Sequence, residues 1–196
     1  MADKKSKVVD KWKTKVWYSV LAPEMFEGKE IAEVVASDEK LLQNRIVKCS
    51  LMEMIGSGSQ NAMFTALSFR VHEVRGKNAH TKLIGHEIAP SYIRTLARRG
   101  KTLIHLALPV KTKDDGAVNV KLVAVTGARV SANTKKNLLN TMRDEVLKAA
   151  EDLSYDQLMQ DVLYGRLASK IFNKLKQITY MKRVEVRKSE KLEEFK

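Results

Sequence analysis

The chain has 196 residues, 44% of them hydrophobic and 30% charged, with a formal net charge of +13: enough apolar material for one sizeable core or two small ones, and a cationic excess that directs attention to polyanions. No window approaches the roughly 20 apolar residues of a membrane span, and no helical pattern sets Lys and Arg opposite Trp and Phe anchors, so no membrane partner is expected. The one cysteine, Cys49, rules out an internal disulfide and suits a reducing cytosol, and the N-terminal lysines lack the apolar stretch of a secretory signal.

Residues 1–15 set Lys4, Lys5, Lys7, Lys11, Lys13 and Lys15 against Asp3 and Asp10. They read as a basic flexible arm, either a solubilising tail or a segment that orders along a phosphate backbone. Trp12 is expected to pack on its own domain rather than on a base. A single domain is expected over 16–188, β-rich over 16–130, helical over 133–179, with a closing strand over 181–188 and a polar tail over 189–196. Its first strand, 16–21, stops at Ala22-Pro23. Residues 30–37 lean to strand, 38–44 to a short helix or turn, and 45–55 to a further strand. The turn Gly56-Ser-Gly-Ser-Gln60 lacks the Gly-Lys-Ser/Thr ending of a phosphate loop and reads as a hairpin loop. Strands over 63–74 and 81–88 flank the turn at 76–78. The fold expected is α+β: a β-rich barrel or curved-sheet body with a short central helix, two longer C-terminal helices and a final strand.

The central helix begins after Pro90, with Ser91 as candidate cap, Ile93, Leu96 and Ala97 on one face and Gly100 as candidate C-cap. Arg94 and Arg98 lie four apart, with Arg99 beside them and Lys101 just beyond. From Ile88 to Arg143 eleven cations face only Asp114 and Asp115, a balance of +9 out of the chain's +13. Such a block repels itself unless a polyanion neutralises it, although for any single residue a solvated place near a helix C-terminus serves as well. Residues 102–112 and 117–129 flank Asp114-Asp115-Gly116 as a hairpin. Lys111, Lys113 and Lys121 then fall near one hairpin end, to grip phosphates or to guard a sheet edge.

The periodicity turns helical from about Asn133, where Lys135 and Lys136 precede Leu138, Met142, Val146 and Ala150. Ser154 to Gln157 is a capping box opening a second long helix through Ile178, roughly 36 Å in length. The closing strand carries Arg183, Arg187 and Lys188. The four histidines have no metal-ligand spacing, no serine sits in a nucleophile elbow, and no dinucleotide fingerprint occurs. Asp114 and Asp115 fit a turn better than a magnesium site. Neither a catalytic residue nor a metal nor a cofactor is expected, and with 6% aromatic residues broad base stacking is a poor main contact mode.

Several stretches, in order along the chain, carry a resemblance: Trp17-Tyr-Ser-Val-Leu-Ala-Pro23 with Phe26, Arg45 to Leu51, Gly85-His-Glu-Ile88 leading into Ser91-Tyr-Ile-Arg94 and Arg98-Arg99, Val110-Lys-Thr-Lys-Asp114, and Lys182-Arg-Val-Glu-Val-Arg-Lys188. Together they resemble the archaeal and eukaryotic small-subunit ribosomal protein family S-one-e, also called S-three-a, and not the bacterial OB-repeat ribosomal protein S-one. After the arginine pair, Gly100-Lys-Thr stands in place of a more basic stretch. The resemblance implies a structural constituent of the small subunit in the cytoplasm, on the platform near the messenger exit. Its implied partners are ribosomal RNA, neighbouring small-subunit ribosomal proteins and, as a further candidate, messenger RNA.

The residues assigned to RNA are Lys4, Lys5, Lys7, Lys11, Lys13, Lys15, Arg94, Arg98, Arg99, Lys101, Lys111, Lys113, Lys135, Lys136, Arg183, Arg187 and Lys188, acting by phosphate neutralisation on a body that matches RNA shape. The competing readings are a chromatin or RNA-chaperone protein and, behind it, an RNA-processing enzyme.

Overall fold

The computed structural model describes residues 10, 12–56, 60–114 and 116–193. The architecture is α+β, and the chain gathers into two compact units, residues 1–49 with 69–83 and residues 50–68 with 84–196.

In the first unit β1 (Val16–Leu21) pairs antiparallel with β2 (Glu30–Ala36) through Trp17↔Val35 and Val20↔Ala32. It also runs parallel to the opening residues of β5 (Asn78–Ile88), Ser19 facing Asn78. Beside β3 (Ile46–Ser50), Asn44 and Arg45 exchange backbone hydrogen bonds of 3.0 Å with Val71 of β4 (Thr65–Arg75). Alternation puts Tyr18, Val20, Val71 and Ala79 into one small core, where Leu42 and Ala36 join them. Phe26 meets Phe69 edge to face at 5.7 Å. Trp12 departs from expectation: its ring is 71% exposed and carries the Lys15 ammonium 3.9 Å from its centroid.

The second unit opens with a correction. The strand expected through Ile55 stops at Ser50, which caps the short helix α1 (Leu51–Ile55) in a capping box with Glu53. The loop expected over 56–60 falls largely on residues 57–59, outside the described residues. Three antiparallel pairings build the sheet: the end of β5 with β8 (Met181–Lys191), β8 with β7 (Ala117–Thr126), and β7 with β6 (Leu103–Lys111). The last strand thus runs three residues further than expected, taking in Ser189, Glu190 and Lys191.

One face of β7, with Val118, Val120 and Leu122, is turned to the C-terminal helices; the hydroxyl oxygen of Ser189, which faces Val120, lies 3.3 Å from the Met159 sulfur. On the other face Val123 and Val125 pack with Ile88 and with Ile93 of α2 (Pro90–Leu96).

The helices are α3 (Ala132–Asp152), α4 (Tyr155–Leu163) and α5 (Arg166–Lys176). The second long helix expected from Ser154 to Ile178 is therefore two, divided at Gly165, whose φ of +74° no helix accommodates. Asp114 does more than shape the hairpin turn: its carboxylate accepts from the Tyr155 N–H at 3.1 Å, fastening the start of α4. Asp115 lies outside the described residues.

His86 is fully buried in this unit, its Nε2 donating to the Val186 carbonyl at 3.0 Å and its Nδ1 accepting from the Ser189 hydroxyl at 2.6 Å. Burial pushes its pKa down to about 4, so the ring is neutral at pH 7. Beside it Gly85 faces Glu190 in the β5/β8 ladder, and a Cβ there would overlap the Ser189 carbonyl oxygen. Gly85→Ala is therefore expected to lower unfolding free energy by about 2 kcal/mol, read as a shifted urea midpoint; an unchanged midpoint would contradict this close approach.

Candidate nucleic-acid interface

The register of three strands decides where the cations go. Leu103 faces Val125, and Val125 faces Arg183, so β6 starts, β7 ends and β8 starts at the same end of the sheet. Threonine side chains fasten that end. The Thr126 hydroxyl accepts from the Thr102 N–H at 3.0 Å and donates to the Ala128 carbonyl at 2.5 Å, while the Thr102 hydroxyl accepts from the Val130 N–H at 3.2 Å. The Gly127 N–H donates to the Tyr180 carbonyl at 2.9 Å. These bonds bring Lys101, Arg129 and Lys182 together from three stretches of chain. Ser131 then caps α3 through the Thr134 N–H at 3.2 Å, which places the exposed Lys135 and Lys136 in the turn just beyond.

The α2 segment adds the arginines, by a route the sequence does not suggest. Pro90, not Ser91, begins the helix, preceded by an Ala89 cap without a side-chain bond, and the helix ends at Leu96 because Ala97 is extended. Arg94 is exposed on the helix, whereas Arg98 leaves it for a turn in which the Lys101 N–H donates to the Arg98 carbonyl at 3.3 Å and Gly100 takes φ +80°. Tyr92 anchors the segment, stacked on Phe64 at 5.0 Å with the Arg183 guanidinium 5.5 Å from its ring.

This end is electrostatically unbalanced. Among the described residues, Arg94, Arg98, Arg99, Lys101, Arg129, Lys135, Lys136 and Lys182 have no carboxylate within ion-pair distance. The Lys182 amine beside Lys101 holds the Lys101 ammonium below the ordinary lysine range, with desolvation and the charge of Arg98 adding to the effect. Arg183 differs, since its Nε donates to Glu185 at 2.7 Å.

The other assigned residues lie elsewhere. Lys111 and Lys113 sit at the hairpin end of β6, roughly 30 Å along a nine-residue strand from Lys101. Lys121 is in mid-strand, opposite Ala107, and 3.5 Å from Glu190. Lys188 is held by Glu190 and by Glu87 at 3.8 Å, and Glu190 raises its pKa. Half-buried Arg187 falls at the register shift between β7 and β8. Lys13 and Lys15 belong to the first unit, and Lys4, Lys5, Lys7 and Lys11 lie outside the described residues. Sequence reasoning did not assign Arg129 or Lys182 to the interface. Arg129 stood inside the basic block and Lys182 beside Arg183, and pairing β7 with β8 would have supplied the missing link.

Residues 3–194 match the model of the Ribosomal S3Ae family. A protein of Methanobrevibacter smithii named small ribosomal subunit protein eS1 is 36% identical over 191 residues, covering 97% of this chain and 98% of the relative. Proteins of the same name from Haloarcula marismortui and Methanothermobacter thermautotrophicus are 35% and 30% identical, covering 89% and 97% of this chain and 81% and 97% of the relatives.

The lowered Lys101 pKa gives a direct check of the cation cluster. Lys182→Ala is expected to raise the Lys101 pKa, measured by NMR titration of the lysine side chains, because the largest cause of its depression is gone. A Lys101 titration unmoved by that substitution would show that the two amines do not interact.

Proposed function

Because the chain belongs to the Ribosomal S3Ae family, we propose that it is a structural, non-catalytic constituent of the small ribosomal subunit and that the cationic end of its sheet holds ribosomal RNA. The names of the relatives support the first part of this reading. The observation that carries the second is a set of eight cations gathered at one sheet end without a carboxylate partner among the described residues. Strand pairing and the threonine bonds fix the backbone spacing of Lys101, Arg129 and Lys182, so that part of the ordering cost is met in folding rather than in binding. Arg98 and Arg99 present planar forks suited to phosphate oxygens, and the lysines act as point charges. Each phosphate neutralised releases condensed counterions, which makes affinity steeply dependent on salt.

Phosphate contacts of this kind position the protein but carry no sequence information. Specificity in this reading comes from the shape of the folded RNA and from neighbouring small-subunit proteins. Lys111 and Lys113 at the hairpin end, with the arm lysines Lys4, Lys5, Lys7, Lys11, Lys13 and Lys15, form further contacts. The same reading includes what the family resemblance implies: a cytoplasmic ribosomal location and a platform position near the messenger exit, with messenger RNA as a further candidate partner.

The test is the salt dependence of binding to small-subunit ribosomal RNA. Combining Arg98→Ala, Lys101→Ala and Lys182→Ala is expected to flatten the log–log slope by roughly two to three units, whereas Lys188→Ala, already matched by Glu87 and Glu190, leaves it unchanged. An unaltered slope in the triple variant would remove the sheet end from the interface. Co-sedimentation of the intact protein with small subunits through a moderate-salt wash is expected, and recovery only in light fractions would contradict a ribosomal role.

A further inference from the structure

A cleft of about 320 Å³ opens beside the cationic end, lined by α1, α5, the α4–α5 break and the start of β8. The break itself helps to shape it: Gly165 turns the chain out of α4, leaving Tyr164 59% exposed among the lining residues. Phe172 adds a second ring, and Leu51 and Ile88 add aliphatic surface. Polar groups share the lining. The Ser169 hydroxyl donates to the Gly165 carbonyl at 2.9 Å, which leaves its oxygen as an acceptor. His86 also borders the cleft, but both its ring nitrogens are engaged, so nothing here is poised for proton transfer. Lys182 is the link to the rest of the site, lining this cleft while its amine lies beside that of Lys101.

Two aromatic rings among polar neighbours, a hydroxyl acceptor and a cation shared with the cationic sheet end describe a ligand with a planar body and an anionic end, the Glu185 carboxylate that also lines the cleft being matched by Arg183. The volume lies in the range of small-ligand pockets. We infer that this cleft takes one unstacked nucleotide of a single-stranded RNA segment, its base against Tyr164 and Phe172 and its phosphate on Lys182 and Lys101. The inference rests on the RNA-binding reading above and deepens it. Duplex RNA meets the cationic end through phosphates alone, whereas a single strand gains the cleft as well, because only an unpaired base can leave its neighbours and enter. The low aromatic content is no obstacle, since one nucleotide requires only these two rings.

Two measurements on the full chain decide the matter. A short single-stranded RNA carrying one central 4-thiouridine is photocrosslinked to the wild-type protein, and crosslinks are expected on Tyr164 or Phe172. In parallel, Ala168→Phe fills the cleft from its own wall; it is expected to weaken single-strand binding about tenfold, with duplex affinity and salt slope intact. Crosslinks that avoid both rings, or single-strand affinity untouched by the filling substitution while duplex still binds, would overturn the cleft assignment and leave the wider reading standing. Failure of the wild type to bind either RNA form at low salt would overturn both. Should Ala168→Phe lose duplex binding too, as a misfolded variant would, the wild-type crosslink decides alone.

Discussion

Strand pairing from β6 through β7 to β8 holds like charges together that would otherwise separate. Lys101, Arg129 and Lys182 come from positions spread over more than eighty residues of chain, yet the facing of Leu103, Val125 and Arg183 sets them at one sheet end. The register is in turn fixed by burial. Val118, Val120 and Leu122 must face the helices, and a slip of one residue would turn them to the other side. Apolar packing against α3, α4 and α5 thus supplies the stability that keeps the cations close, and the threonine bonds around Thr102 and Thr126 keep the edge of the array from fraying.

The chain deals with its cations in two ways. Several lysines and arginines within the sheet or along a helix have an acid beside them: Glu190 serves Lys121 and Lys188, Glu185 serves Arg183, and Asp161 serves both Arg166 and Lys170 at 3.6 Å. Those pairs are partly or largely exposed and add little to stability, but they cancel charge locally. Around the sheet end Glu185 is taken by Arg183 and no described acid stands within ion-pair distance of the other cations, and the depressed Lys101 pKa registers the resulting repulsion. A bound polyanion would relieve it. Because Lys111, Lys148 and Lys174 also have no acid within ion-pair distance among the described residues, it is the crowding of Lys101 with Lys182 and Arg98 that separates the proposed interface from the ordinary surface.

Much of this fold is legible in the sequence because its signals are local. The alternation of Val118, Val120 and Leu122, the hairpin at Asp114 and the capping box at Ser154 each depend on a few adjacent residues. The break at Gly165 was masked because Leu163 and Leu167 stand four apart and continue an apolar stripe across it; only the glycine itself signalled the turn. Helix α1 was hidden in a run of Leu51, Met52 and Met54 that suits a strand as well, although Ser50 and Glu53 already had capping-box spacing. The candidate site was legible in part. Its arginines stand out by charge alone, but the approach of Lys182 to Lys101 and the capture of Lys188 by Glu87 depend on strand partners about eighty to one hundred residues away, which no local pattern records.

The central claim is that the cations left without acids at the sheet end meet phosphate. Amine labelling of intact small subunits, read lysine by lysine before and after nuclease digestion, tests it most directly. Lys101, Lys135, Lys136 and Lys182 should resist labelling in the particle and become reactive once RNA is removed, while Lys188, held by its two glutamates, should change little. Equal labelling of those four lysines with and without RNA would contradict the account.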